Sequence, residues 1–499
     1  MAQKQMKSLA KDTAIYGIST IAGKFVNWLL VPFYTQVLAS AADYGIVTNL
    51  YSWTALLLVI LTYGMETGLF RFINKETESP DRVYSTSMIS VGTTSLLFGV
   101  FVVIFSPQLA ALLKYPAHPE YIWMLGISVS IDAFACIPFA YLRYRKMPIR
   151  FATLKLLYVV LNIIFNLFFF LGCPFLMRHA PETVSWFYNP DYGVGYAFVA
   201  NILSTIIQTL FLLPYITCVK FHFDKNLLNR ILRYSLPLLL LGIMGILNQT
   251  LDKILYPFMG RGGIGDTELG IYGATSKIAL IMLVFTQAFR YAYEPFVFAQ
   301  KQNKESHENY IQAMNYFVIV SWFIFLGMLF YMDFFKILIK KEYWSGLSVV
   351  PIILVSFIFQ GIYFNLSIWY KLSDRTMFGT WFSLAGTLII ILGNTLFVPR
   401  FGYYACVWAA FVCYFTIMLL SYFFGQKYMP IAYDLKKIGF YSLAALVIFL
   451  VSLVIKTPFQ LLNYCFKTIL LLIFVFIFIK RDLPVEKIPV FNKILRKKH

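Results

Sequence analysis

The chain has 499 residues, 60% of them hydrophobic and 13% charged, where a soluble protein sits nearer to about 45–50% apolar and about 25% charged. That excludes a string of soluble domains, because there is too little polar surface to cover them. The formal net charge of +19 does not mark a nucleic-acid binder either, since the cations sit in short loops between apolar runs and form no basic stripe on a soluble face.

A helix of about 20 apolar residues crosses the hydrocarbon layer and satisfies its own backbone there. Residues Met1 to Asp12 are polar. The apolar run after them is too long for a signal-peptide core and has no small-residue cleavage site, so it reads as a retained span. Spans are predicted at 13–38, 44–65, 83–105, 120–141, 151–172 and 192–216. Six more follow at 234–258, 268–288, 309–331, 347–370, 377–398 and 403–424, and two at 437–455 and 462–479. With the N-terminus inside, 30 of the 42 lysines and arginines fall in inside segments and 8 in outside loops. This asymmetry sets the orientation and places both termini in the cytoplasm. The expected fold class is an all-α polytopic membrane protein with about 14 transmembrane helices.

The loops leave no room for a catalytic domain; the longest outside one runs from Cys173 to Asp191. The basic tail from Lys480 to His499 is expected on anionic headgroups, which makes membrane lipids a partner. The six cysteines have no metal-ligand spacing, and no disulfide, metal or cofactor is expected. The five histidines lie in loops, at their edges or in the tail. Gly260 to Gly265 spells GxGxxG but follows no strand, so the dinucleotide reading fails.

An internal repeat organises the chain. Adding 225 to positions 17–46 yields eight identities, among them Gly17/Gly242, Pro32/Pro257 and Gly45/Gly270, with Asp43/Glu268 conservative. Spans 1–6 and 7–12 are thus read as two like-oriented six-helix bundles, residues 1–233 and 234–436. Residues 437–499 add two further spans and the tail. Paired bundles can rock about a central site.

One polar stripe recurs in both copies. Gly17, Thr20, Lys24 and Asn27 share a helical face in span 1, and their equivalents in span 7 are Gly242, Gly245, Gln249 and Asp252. The glycines read as helix-packing contacts. A charge at mid-bilayer costs ~2.5–3.5 kcal/mol even on lenient scales, so Lys24 and Asp252 are expected to face a wet cavity or a partner. Lys253 lies about 100° around the helix from Asp252 and is not expected to pair with it. Lys277 in span 8 is a second candidate anion contact, and Asp132 in span 4 is a candidate counter-ion for Lys24. Pro32 and Pro257 are either hinges or span ends.

Four passages resemble the polysaccharide-biosynthesis (Wzx-type O-antigen flippase) branch of the multidrug/oligosaccharidyl-lipid/polysaccharide (MOP) exporter superfamily. They are Ala42 to Ile46, Gly64 to Phe72, Tyr234 to Pro237 continuing to Asp252-Lys253, and Glu268 to Tyr272. The family often has Asp-Arg where this chain has Asp252-Lys253, so the charge is kept but not the planar fork. The resemblance implies a flippase of the bacterial inner membrane. It would carry undecaprenyl-pyrophosphate-linked oligosaccharide to the periplasmic leaflet by alternating access, for O-antigen, capsule or exopolysaccharide. It also implies partners in the polysaccharide polymerase or export machinery, and no enzymatic activity. Lys24 is the position that best fits the basic pyrophosphate contact of related lipid II flippases. An ion gradient and the membrane potential are both compatible driving forces. The rival within the superfamily is a MATE-like drug/cation antiporter, which wants cavity acids; Asp132 and Asp252 could serve, whereas mid-span lysines favour an anionic substrate.

Overall fold

A computed structural model describes residues 28–74, 78–259, 261–299, 304–373, 375–455 and 458–482. Every regular element among them is helical. Helix α1 (28–37) continues through Pro32, so this proline does not end a span. There follow α2 (Ala41–Thr62), α3 (Met65–Ile73), α4 (Pro80–Ile104), α5 (Ser106–Leu112), α6 (Pro119–Tyr144), α7 (Pro148–Leu167) and α8 (Cys173–His179). Next come α9 (Gly195–Ile216), α10 (Lys225–Leu255), α11 (Gly265–Ile278), α12 (Leu280–Ala299), α13 (Lys304–Phe330) and α14 (Met332–Ile337). The last are α15 (Val350–Leu366), α16 (Ile368–Leu372), α17 (Met377–Phe401), α18 (Tyr403–Tyr428), α19 (Leu435–Val454) and α20 (Gln460–Asp482).

Twelve of the described helical stretches are long and apolar enough to cross a membrane, and α11 with α12 makes a thirteenth that is broken at Ala279. They coincide with predicted spans two to fourteen. The first predicted span is described only from Trp28 onward. Several spans thought continuous are interrupted, and two of the breaks lie beside the site. The second breaks between α2 and α3, where Tyr63 and Gly64 take φ of 32° and 70°, a left-handed conformation that glycine adopts without steric cost. The eighth breaks at Ala279.

Helix starts follow from local chemistry. Ser40 caps α2: its Oγ accepts from the Asp43 N–H (3.3 Å), and an Asp43 oxygen accepts from the Ser40 N–H (3.0 Å). Asp224 caps α10, accepting from the N–H groups of Asn226 and Leu227 at 2.8 and 3.0 Å. Proline opens α4, α6 and α7, where its missing N–H is not needed.

The described residues within 1–277, 339–349 and 375–413 form one compact unit. In it α6 packs against α2, α4 and α9, α7 packs against α9, and α10 lies against both α2 and α17. The described residues within 278–338, 350–374 and 414–499 form the other. There α13 is the central helix, touched by α12, α15, α19 and α20. Trp322 on α13 donates to Ser442 on α19 at 2.9 Å, and Asp482 at the end of α20 binds Lys437 of α19 at 2.5 Å.

Candidate functional site

The site residues cluster in the first unit, where α2 and α10 meet α11 and where α7 meets α6. The repeat is visible there as geometry. A Cβ added at Gly45 would collide with the Asp266 carbonyl oxygen, and one added at Gly270 would collide with the Ala41 carbonyl oxygen. Both contacts obey the 225-residue offset, because 41 maps to 266 and 45 to 270. The starts of α2 and α11 therefore cross about a local two-fold axis at a distance only glycine permits. Gly273 continues the crossing against Thr48. Two backbone contacts follow the same symmetry approximately: Trp28 Nε1 donates to the Lys277 carbonyl at 2.6 Å, and Asn49 Nδ2 to the Lys253 carbonyl at 2.7 Å.

The predicted residues fare differently. Lys24 and Asn27 lie outside the described residues. Gln249 is exposed on α10, and its Nε2 donates to the Gly245 carbonyl at 3.3 Å. Gly245 faces open space, with nothing within 4 Å of an added Cβ, whereas Gly242 packs against Val59. Asp252 is buried between helices, and its carboxylate accepts from the Tyr272 hydroxyl. It also binds Lys253, whose Nζ lies 3.0 Å from Oδ2 and 4.8 Å from the Tyr272 ring centre. The expectation that Asp252 and Lys253 do not pair is thereby corrected. Their Cβ directions diverge around the helix, but the four-carbon lysine stem folds back far enough to reach its neighbour.

Lys277 is exposed, two residues before the break at Ala279. Among the described residues no carboxylate lies within 4.0 Å of its ammonium, and its electrostatic neighbour is another cation, Lys253. Its position at the end of α11 sets positive charge beside the carbonyls that end a helix.

Asp132 is half-buried on α6, and the cation its charge faces among the described residues is Lys155 on α7. Lys155 lies near the start of the predicted span 151–172 and sits two turns into α7, with Nζ 4.0 Å from the Phe139 ring centre. Around this pair lies a polar set the sequence reading passed over. Tyr34 donates to Asn166 Oδ1 at 2.7 Å, Asn166 Nδ2 to the Asn162 carbonyl at 2.7 Å, and Asn201 to the Tyr158 hydroxyl at 2.8 Å. A signal for it was present: Lys155, Tyr158, Asn162 and Asn166 recur at spacings of three and four along one face of an apolar span.

The passages that carry the family resemblance meet in pairs. Gly64 and Gly68 seat α3 on Ser235 of α10, and Arg71 stacks 4.0 Å over the Tyr234 ring. Glu268 binds Arg261 at 2.5 Å and receives the Tyr256 hydroxyl at 2.6 Å. The passages are helix-crossing chemistry, set around the polar face of α10.

The described residues thus define an all-helical polytopic membrane fold with broken spans. Among solved structures the fold resembles the lipid II flippase MurJ in an inward closed conformation, with TM-score 0.72 and 15% identity over 94% of this chain and 99% of that one. It also resembles an inward-facing multidrug-resistance MATE family transporter of the MOP superfamily, with TM-score 0.65 and 14% identity over 81% and 94%. A third likeness is to the MATE multidrug transporter DinF-BH, with TM-score 0.61 and 16% identity over 84% and 96%. At these identities the likeness is one of fold. No curated protein sequence matches the chain. The family model for polysaccharide biosynthesis proteins matches residues 9–293, and the chain belongs to that family.

Proposed function

We propose that the protein flips an undecaprenyl-pyrophosphate-linked oligosaccharide from the cytoplasmic to the periplasmic leaflet of a bacterial inner membrane by alternating access. The observation that carries this reading is Lys277, an exposed cation inside a span with no carboxylate within 4.0 Å among the described residues. A lysine in that position stays charged only in a wet site or against an anion. It can hold a diphosphate as a point charge without strict geometry, which suits a site that must also release. Gly245 and Gln249 leave an open, hydrogen-bonding face on α10 for a hydroxyl-rich head. Membership of a polysaccharide biosynthesis family supports the sugar part of the proposal. Lys24, which lies outside the described residues, is the second proposed diphosphate contact.

The antiporter reading is disfavoured by the acids themselves. Asp252 is already bound by Tyr272 and Lys253, and Asp132 faces Lys155. Asp252 is therefore not a free carboxylate waiting for a drug cation. Deleting the gene tests the proposal. Lipid-linked repeat units are expected to accumulate on the cytoplasmic leaflet while the surface polymer is lost. Normal surface polymer in a strain with no second homologue contradicts it.

A further inference from the structure

Two ion pairs outside the site share one arrangement. In the first unit Arg143, in the last turn of α6, donates to Glu66, in the first turn of α3. In the second unit Lys371, in the last turn of α16, donates to Glu294 of α12 at 2.6 Å. Each pair joins residues 77 positions apart, and adding 228 to 66 and 143 gives 294 and 371. Each therefore ties the second span of a repeat to its fourth, at the end that the charge asymmetry places inside.

The partners differ, arginine in one copy and lysine in the other, so what recurs is the charge and not the side chain. All four side chains are 30–41% accessible. Pairs that open to water contribute little to stability, so stability does not explain the same pair standing twice. Their placement offers another role. Glu66 follows directly on the break at Tyr63 and Gly64, and its helix α3 rests through Gly64 and Gly68 on Ser235 of α10. Fixing α3 to α6 therefore fixes the seat of the helix that carries Gln249 and Asp252. Arg143 also lies 5.0 Å from the Phe70 ring centre on α3, and Arg290 beside Glu294 lies 5.4 Å from that of Phe364. In the first pair the arginine itself meets the ring, and in the second the ring meets Arg290, the neighbour of Glu294.

We infer that Glu66–Arg143 and Glu294–Lys371 are one device in two copies, an ion-pair clasp that holds the second span of each repeat to its fourth. The four residues are positioning residues for transport, so this inference rests on the transport reading above.

The test uses full-length protein in a deletion strain, with variants at matched membrane levels. Glu66→Lys and Glu294→Lys should each cut surface polymer at least tenfold. The swaps Glu66→Lys with Arg143→Glu, and Glu294→Lys with Lys371→Glu, should return it to within threefold of wild type. Lys371→Arg should be active. In the purified protein, amide exchange across residues 65–73 should rise in Glu66→Lys and fall back in the swap. Fully active single variants overturn the clasp. So do swaps that restore protection of 65–73 but stay as inactive as the single variants, because the carboxylate would then be needed for itself. If polymer yield responds to none of the variants or to the deletion, the transport reading has failed. The exchange result then decides the clasp alone.

Discussion

Lys277 and Lys24 test the proposed anion site one side chain at a time. Lys277→Ala and Lys277→Glu are expected to abolish polymer export and Lys277→Arg to retain part of it, measured by complementation at matched membrane levels. The same order is expected at Lys24, where Arg keeps partial transport while Ala and Glu do not. Full complementation by either alanine variant contradicts a diphosphate contact there. Lys277 was readable from sequence because a lysine within an apolar run is conspicuous. Lys155 was not, because it lies near a span end, where cations are ordinary, and only the fold shows Asp132 facing it. The Asp252–Lys253 pair was misread because helical-wheel angles describe Cβ directions and ignore the reach of a long stem. A pH effect belongs to Asp224, outside the spans. The Leu227 N–H first, then the Arg82 guanidinium, hold its carboxyl below the usual aspartate range. A depressed folded value means the charge stabilises the fold above the ordinary aspartate pKa, and that contribution is lost as pH falls through the folded value. Asp224→Ala should therefore lower the unfolding temperature of solubilised protein at neutral pH. The gap to wild type should close in strongly acidic buffer, and an equal gap at both pH values contradicts the assignment.

Among the elements, the crossing of α2 with α11 shows the repeat as physical contact. Gly45 and Gly270 each face a carbonyl of the other helix with no room for a methyl group. Alanine at either position should force the helices apart at a cost of about 1–3 kcal/mol. In thermal unfolding of the solubilised protein, Gly45→Ala and Gly270→Ala should lower stability by comparable amounts, whereas Gly245→Ala, which faces open space, should not. Equal effects at all three positions contradict the crossing. The identity of Gly45 with Gly270 was visible in the sequence as part of the repeat, but its reason was not, because a repeat shows correspondence and not contact. Predicted spans two to fourteen stand as helices because long apolar runs between charged loops have few alternatives in a membrane. The breaks at Tyr63-Gly64 and Ala279 escaped notice because neither changes the hydropathy of its span. Pro257 ends α10 in a short turn over Tyr256–Phe258, whereas α1 continues through Pro32, so the equivalent prolines do different work.

For the whole molecule, composition alone set the class. A chain with 60% hydrophobic residues and most of its cations in short loops is a multi-pass membrane protein, and the thirteen described spans agree. The proposed function makes substrate choice a matter of charge. Purified protein in vesicles containing a polyprenyl-diphosphate oligosaccharide measures it most directly, through the fraction of sugar that an added glycosidase can cleave from outside. The proposed function predicts that this fraction, about half in sealed protein-free vesicles, rises toward completion with wild-type protein. It should stay at the protein-free level with Lys277→Ala, and a matched lipid without the diphosphate should not move. Flipping of the uncharged lipid at the wild-type rate, or no acceleration of the diphosphate lipid over protein-free vesicles, would contradict the account.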